Sequence, residues 1–205
     1  MATLPKESSF TPAPAGPHPA VCYRVVDLGT QETAYQGQVS RKHQLLVTWE
    51  LFCDERMADG RRFSIGKKYT WSTHKKATLR KDLEAWRGKP FAETDFGPGG
   101  FDIKNILGAA CLVNVKHFDK AGDIGASVEG VMKLPKGMSV GTPENDKLYL
   151  WLSYDEFDKD AFMKLSEKMR EIIIKAPEYK AAITGEDVET QSFHAGVDPD
   201  DEIPF

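Results

Sequence analysis

Between positions 67 and 76 the chain reads Lys67-Lys68-Tyr69-Thr70-Trp71-Ser72-Thr73-His74-Lys75-Lys76, with four lysines interleaved with two large aromatic rings. Ammonium groups neutralise phosphates. Flat rings stack on bases, at about 1–3 kcal/mol per base and without regard to base identity. Together they are what a single strand of nucleic acid asks of a surface. Arg41 and Lys42 precede the clearest strand of the sequence, and Tyr23 sits in the first strand. The candidate contacts are therefore Lys67, Lys68, Tyr69, Trp71, Lys75 and Lys76, followed by Arg41, Lys42 and Tyr23.

Other aromatic residues have a structural use. Trp49 shares strand parity with Leu45, Val47 and Leu51, which places it in a core. Trp86 follows Leu79 and Leu83 at helical spacing, and Phe63 pairs with Ile65. The faces of Tyr69 and Trp71 depend on Gly66, where a bulge would swap the side to which both point. Arg80 and Lys81 fall on the helix away from its apolar stripe.

Further chemistries find little support. Asp155, Glu156, Asp158 and Asp160 form an acidic group that suits helix entry, where the backbone dipole favours carboxylates. Cys22, Cys53 and Cys111 are far apart and form no C-x-x-C pair, and the five histidines are equally scattered. No phosphate-binding loop, nucleophile elbow or zinc-protease motif occurs. The expectation is no enzyme, no metal and no cofactor.

The net charge of −4 conceals a division. Seven of the 31 acids lie from Glu186 onward, where there is no Lys or Arg; the 24 that remain face 27 bases, a balance of +3 over residues 1–185. Arg41–Pro90 holds thirteen bases against six acids. A basic middle and an acidic end on one chain suit a tail and a polyanion that share a surface. No apolar run approaches the roughly 20 residues of a membrane span. Met1–Pro19 lacks the apolar stretch of a secretory signal, so a cytoplasmic location is expected.

The elements that must position these groups follow from periodicity. Residues 1–19 read as a Pro-rich flexible leader. Ala20–Thr30 is a strand whose apolar parity switches midway, as in a bent strand serving two sides of a barrel. Gln31–Arg41 reads as a loop. Strand two carries Leu45, Val47, Trp49 and Leu51. Strand three spans Arg62–Trp71 and pairs with strand two. Ser72 or Thr73 would cap a helix to Arg87, stopped by Gly88 and Pro90. Asp102–Leu107 suggests a helical turn. Ala110–Phe118 and Ala126–Leu134 are strands four and five, separated by a turn-like Asp119–Gly125. After the loop Pro135–Lys147 come a short strand, Leu148–Leu152, and a helix over Lys159–Lys175 that Pro177 ends. From Thr184 the composition predicts disorder.

Three strands, a helix and two strands is the order of the five-stranded OB-fold barrel, whose helix lies between strands 3 and 4. The expected fold is thus mainly β with α: an OB-fold over 20–135, a strand–helix extension over 136–183 packed on the barrel, and a disordered acidic tail over 184–205.

The sequence closes on Asp198-Pro199-Asp200-Asp201-Glu202-Ile203-Pro204-Phe205. Phe205, with its carboxylate, would be a hydrophobic plug bearing a negative charge, suited to an apolar pocket rimmed with Arg or Lys. This ending resembles the tip of bacterial single-stranded DNA-binding proteins, an acidic run followed by Ile-Pro-Phe. The strands do not resemble that family, and its Gly/Gln-rich linker is replaced by a short mixed segment. The organisation is similar to single-stranded DNA-binding proteins of bacteriophages, where a divergent OB-fold carries a host-like tip.

The resemblance implies non-specific binding of single-stranded DNA in replication, recombination or repair. It also implies that Asp200, Asp201, Glu202, Ile203, Pro204 and Phe205 dock host or phage replication and repair proteins while the acids compete with DNA. Homo-oligomers would fit, since one OB-fold contacts few nucleotides. Two alternatives remain: an adaptor or inhibitor that captures host factors without touching DNA, and a strand-annealing protein.

Overall fold

The computed structural model describes residues 11–35, 38–120 and 123–185. The acidic tip Asp200–Phe205, with everything from Glu186 onward, lies outside the described residues, as does the leader up to Phe10. The protein is mainly β with a few helices. The strands are β1 (Gly16–Tyr35), β2 (Gln38–Leu51), β3 (Ser64–Thr70), β4 (Ala110–Lys120), β5 (Asp123–Met132) and β6 (Leu148–Leu150). Helix α1 (Thr78–Arg87) stands between β3 and β4; α2 (Lys159–Met163), α3 (Glu167–Ile174) and α4 (Pro177–Thr184) follow β6.

Hydrogen bonding runs in the order β3-β2-β1-β4-β5, antiparallel throughout, with β6 added in parallel to β1 at Arg24–Val26. The sheet is not closed. Its two end strands, β3 and β5, share no ladder among the described residues and meet through Lys67 Nζ, 3.5 Å from the carbonyl of Glu129.

The long first strand holds both cores together. Register shifts between Cys22 and Arg24 and between Asp27 and Gly29 bend it, as its switching parity predicts. Val25 enters the larger cluster with Leu45, Val47, Trp49, Ile65, Leu83, Trp86 and Val113. Its neighbour Val26 points to the other face and joins Leu28, Leu46 and Leu150 beneath Phe162, Leu165 and Ile173 of the C-terminal helices. Trp49 and Trp86 meet at 6.0 Å inside the first cluster, and Trp86 Nε1 donates to the carbonyl of Ala110 at 2.9 Å. Gly88 takes the left-handed conformation that ends α1, at φ 71°.

Several boundaries differ from the sequence expectation. Of Gln31–Arg41, expected as a loop, residues 31–35 and 38–41 form the distal part of the β1–β2 ribbon. It is held by polar cross-strand pairs, Arg41 to Glu32 and Thr33 to Ser40 at 2.8 Å, so it carries no apolar alternation. Gly16–Pro19, assigned to the leader, pair with β4 at Asn114 and its neighbours. Prolines are tolerated there because this first stretch has a ladder partner on one side only. Most of Asp119–Gly125 likewise belongs to β4 and β5.

Neither Ser72 nor Thr73 caps α1, which begins after Ala77; the Ser72 hydroxyl instead accepts the His74 N–H at 3.2 Å. The expected helix over Lys159–Lys175 is divided at Ser166 into α2 and α3. Pro177 begins α4 instead of ending a helix, and Thr184 is the last residue of α4. Proline at a first helical position loses no bond.

Glu50 and Arg80 are buried charges that fix loops. The Glu50 carboxylate accepts the backbone N–H of Glu144 and Asn145 at 2.9 Å and so pins the segment before β6. Arg80 joins Glu84, the Thr73 carbonyl and the Phe91 carbonyl. It is therefore internal and not a surface cation.

Candidate nucleic-acid interface

The basic and aromatic tract divides between two faces and a turn. Gly66 makes no bulge: β2 and β3 keep an unbroken register from Gln44↔Thr70 to Glu50↔Ser64. Tyr69 therefore points inward with Ile65, and the expectation that it stacks on a base is corrected. It is 4% exposed, and its hydroxyl donates to Asp82 Oδ2 at 2.7 Å. Burial, then the Asp82 charge and hydrogen bond, push its ionisation far above the usual phenol range. Lys67 forms an ion pair with the same oxygen at 2.9 Å, which ties β3 to α1. Its ammonium is thus already engaged within the fold.

Lys68 faces the opposite side of the sheet. With Arg24, Leu46, Thr48 and Gly66 it lines a shallow groove of about 360 Å³. Arg24 Nε donates to Thr48 Oγ1 at 3.2 Å across the groove floor. The missing side chain of Gly66 keeps the floor open, since a Cβ there would stand 3.2 Å from Leu46 Cδ1. Tyr23 lies half-buried at the first bulge of β1, with the Arg24 guanidinium 5.5 Å from its ring centre. Arg41 is exposed on the ribbon beside Glu32, and Lys42 is half-buried opposite Gln31.

Trp71 and the turn after it stand at the end of the sheet. Trp71 is 38% exposed, the remaining candidate ring with a free surface of that size. Lys75 and Lys76 follow on the exposed segment before α1; the Lys75 ammonium is 3.8 Å from Glu93, and both groups are open to water. Surface pairs of this kind hold a cation only loosely.

Sequence reasoning missed the other half of this end. Trp71 and Trp151 meet in a T-shaped contact, with ring centroids 5.0 Å apart and planes at 69°. Trp151 lies parallel to Tyr149, with centroids 6.4 Å apart, and stacks on His43 at 6.3 Å. Lys104 Nζ stands 4.9 Å from the centre of the Tyr149 ring. The signal was present in Leu148–Leu152, where Tyr149 and Trp151 alternate with leucines and so share one face. What the sequence did not reveal is the partner strand: β6 adds to β1 and brings this face to Trp71.

His43 locks the end of the sheet to α4. Its Nε2 is 2.6 Å from the buried carboxylate of Asp27 and its Nδ1 is 3.7 Å from Glu178. Burial works against charge on the imidazole. The hydrogen bond and charge of Asp27, with the charge of Glu178, outweigh it and raise the pKa above the usual value. Glu178 in turn accepts the backbone N–H of Thr30 at 2.8 Å and the Thr30 hydroxyl.

Of the acidic group, Asp158 caps α2 through the N–H groups of Asp160 and Ala161. Among the described residues no set of three His, Cys, Asp or Glu side chains is arranged to hold a metal ion. Burial pushes the Cys22 thiol up to about 12 and raises Cys111 further, which leaves both unreactive. Among the described residues no helix is long and apolar enough to cross a membrane. No protein-family model matches the sequence, and a search of curated proteins finds no significant match.

Proposed function

We propose that the protein binds single-stranded DNA without sequence preference, in replication, recombination or repair, and recruits partner proteins through its terminal residues. The observation that carries the reading is the exposed Trp71, in T-shaped contact with Trp151 and followed a few residues on by exposed Lys75 and Lys76. A ring with surface open to solvent beside exposed cations is the arrangement on which unpaired bases stack while phosphates are neutralised. The finer fold reading is an OB-fold. Its support is the strand order β3-β2-β1-β4-β5 with α1 between β3 and β4, together with the approach of Lys67 to Glu129 where a barrel would close.

In this reading Arg41 and Lys42 extend the cationic surface along the β1–β2 ribbon, and Lys68 with Arg24 adds the outer groove. The tip, Asp200 to Phe205, docks host or phage replication and repair proteins, and its acids compete with DNA. The protein acts in the cytoplasm of a bacterial cell, without catalysis, metal or cofactor, and assembles with further copies along a strand. Fluorescence anisotropy with labelled oligo-dT, on the full chain and on a chain lacking Asp198–Phe205, tests both parts. Binding as tight or tighter without the tip, with loss of partner pull-down, is expected. An absence of DNA binding in both chains would leave a docking adaptor instead.

A further inference from the structure

We propose that the bound strand continues past Trp71 and Trp151 over Tyr149 into a lysine-lined cleft between β6 and α2, where its phosphates are held by Lys104, Lys147 and Lys164. This path rests on the DNA-binding reading and extends it to a surface outside the basic tract of β3. The cleft has a volume of about 450 Å³, and the three lysines share its lining with Tyr149. That is room for a nucleotide-sized group and not merely a crevice.

The charges around the cleft are unevenly committed. Asp158 accepts the N–H groups of Asp160 and Ala161 at the start of α2, and Glu156 lies beside Tyr149, whose hydroxyl is held above the usual phenol range by burial and then by the charges of Glu156, Asp102 and Asp27. Asp155, on the exposed turn before α2, is the third acid of the lining. Among the described residues none of the three lysines forms an ion pair, and all three are exposed. Lys104 rests over the Tyr149 ring, and Lys147 reaches beneath Gly108, where a Cβ would clash with its ammonium end. Hydrogen bonding leaves the three carboxylates charged, so the lining is formally neutral; what it offers an anion is three exposed ammonium groups that no carboxylate pairs among the described residues. The aromatic row Trp71, Trp151 and Tyr149 leads into it, so the anion best placed to use it is the backbone of a strand already stacked on that row.

Titration of the full chain with labelled oligo-dT over a range of salt concentrations reads the path directly. Each neutralised phosphate of a single strand contributes about −0.7 to the slope of log affinity against log salt. The variant K104A/K147A/K164A should therefore bind more weakly, with a slope shallower by about 0.7 to 1.4, while Lys159→Ala, outside the cleft, should match the wild type. A measurement on the unaltered chain guards against a misfolded variant: oligonucleotides carrying 5-iododeoxyuridine should crosslink to the peptide containing Tyr149 and Trp151. Inorganic phosphate at matched ionic strength separates a strand phosphate from a free anion. If phosphate alone protects the three lysines from acetylation and the oligonucleotide slope does not change in the variant, the cleft takes a free anion and the path is wrong. Wild-type binding with an unchanged slope and no crosslink at Tyr149 or Trp151 also overturns the path alone. No wild-type binding at low salt overturns the DNA-binding reading itself.

Discussion

Tyr69 near the end of β3 and Trp71 just beyond it are two residues apart, yet the structure gives them opposite duties, and a pair of substitutions separates them. Trp71 has more than a third of its surface in water, and its interior contact is with the edge of the cluster at Trp151. Trp71→Ala removes one stacking platform, worth about 1–3 kcal/mol, which is a loss of roughly 5- to 150-fold in affinity for oligo-dT. Tyr69→Phe removes a buried hydroxyl whose charged acceptor, Asp82, keeps its ion pair with Lys67. A hydrogen bond to a charged group contributes about 1.5–3 kcal/mol, and the surviving pair places the cost near the lower end, about 1.5 kcal/mol of folding stability. DNA affinity should not change. Urea unfolding followed by tryptophan fluorescence gives the first quantity and anisotropy at a fixed salt concentration gives the second. If Tyr69→Phe weakened binding while fully folded, or Trp71→Ala left affinity untouched, the assignment of a buried role to Tyr69 and a stacking role to Trp71 would be wrong.

Two further outcomes follow from the contacts of β1 and β2 with α4. Gly29 has φ +66°, and a Cβ there would stand 2.4 Å from Ala176 Cβ; Gly29→Ala should cost about 2–4 kcal/mol in urea unfolding and expose Pro177–Thr184 to proteolysis. His43 has a raised pKa, so its stabilising contribution is complete below the ordinary imidazole value of about 6.5 and disappears as pH climbs through the raised folded-state value. The difference in unfolding midpoint between wild type and His43→Gln should therefore shrink from mildly acidic to alkaline pH; a difference that grew in that direction would contradict the Asp27–His43–Glu178 arrangement.

What the sequence disclosed was the part governed by apolar periodicity. The alternation of Leu45, Val47, Trp49 and Leu51, the helical spacing of Leu79, Leu83 and Trp86, and the stop at Gly88 all appear where the pattern puts them. The parity switch in β1 corresponds to two bulges and two packed faces. The distal ribbon escaped notice because Glu32 with Arg41 and Thr33 with Ser40 hold it by polar pairing, which leaves no trace in hydropathy. Tyr69 was ambiguous because a glycine permits a bulge without requiring one, and only the pairing register of β2 and β3 decides. Trp151, Tyr149 and Lys104 were out of reach because nothing local announces that β6 joins β1 more than a hundred positions earlier in the chain. The division of the C-terminal helix at Ser166 rests on an extended backbone at that residue with no side-chain cap, and the apolar residues around it also fit one continuous stripe.

The central claim is that this surface holds a single strand by phosphate neutralisation and base stacking. Anisotropy of labelled oligo-dT with the full chain, measured at several salt concentrations, tests it most directly. The account predicts affinity that falls linearly on log–log axes, by about 0.7 per phosphate contacted. Absence of binding at the lowest salt, or binding with no dependence on salt, would contradict it.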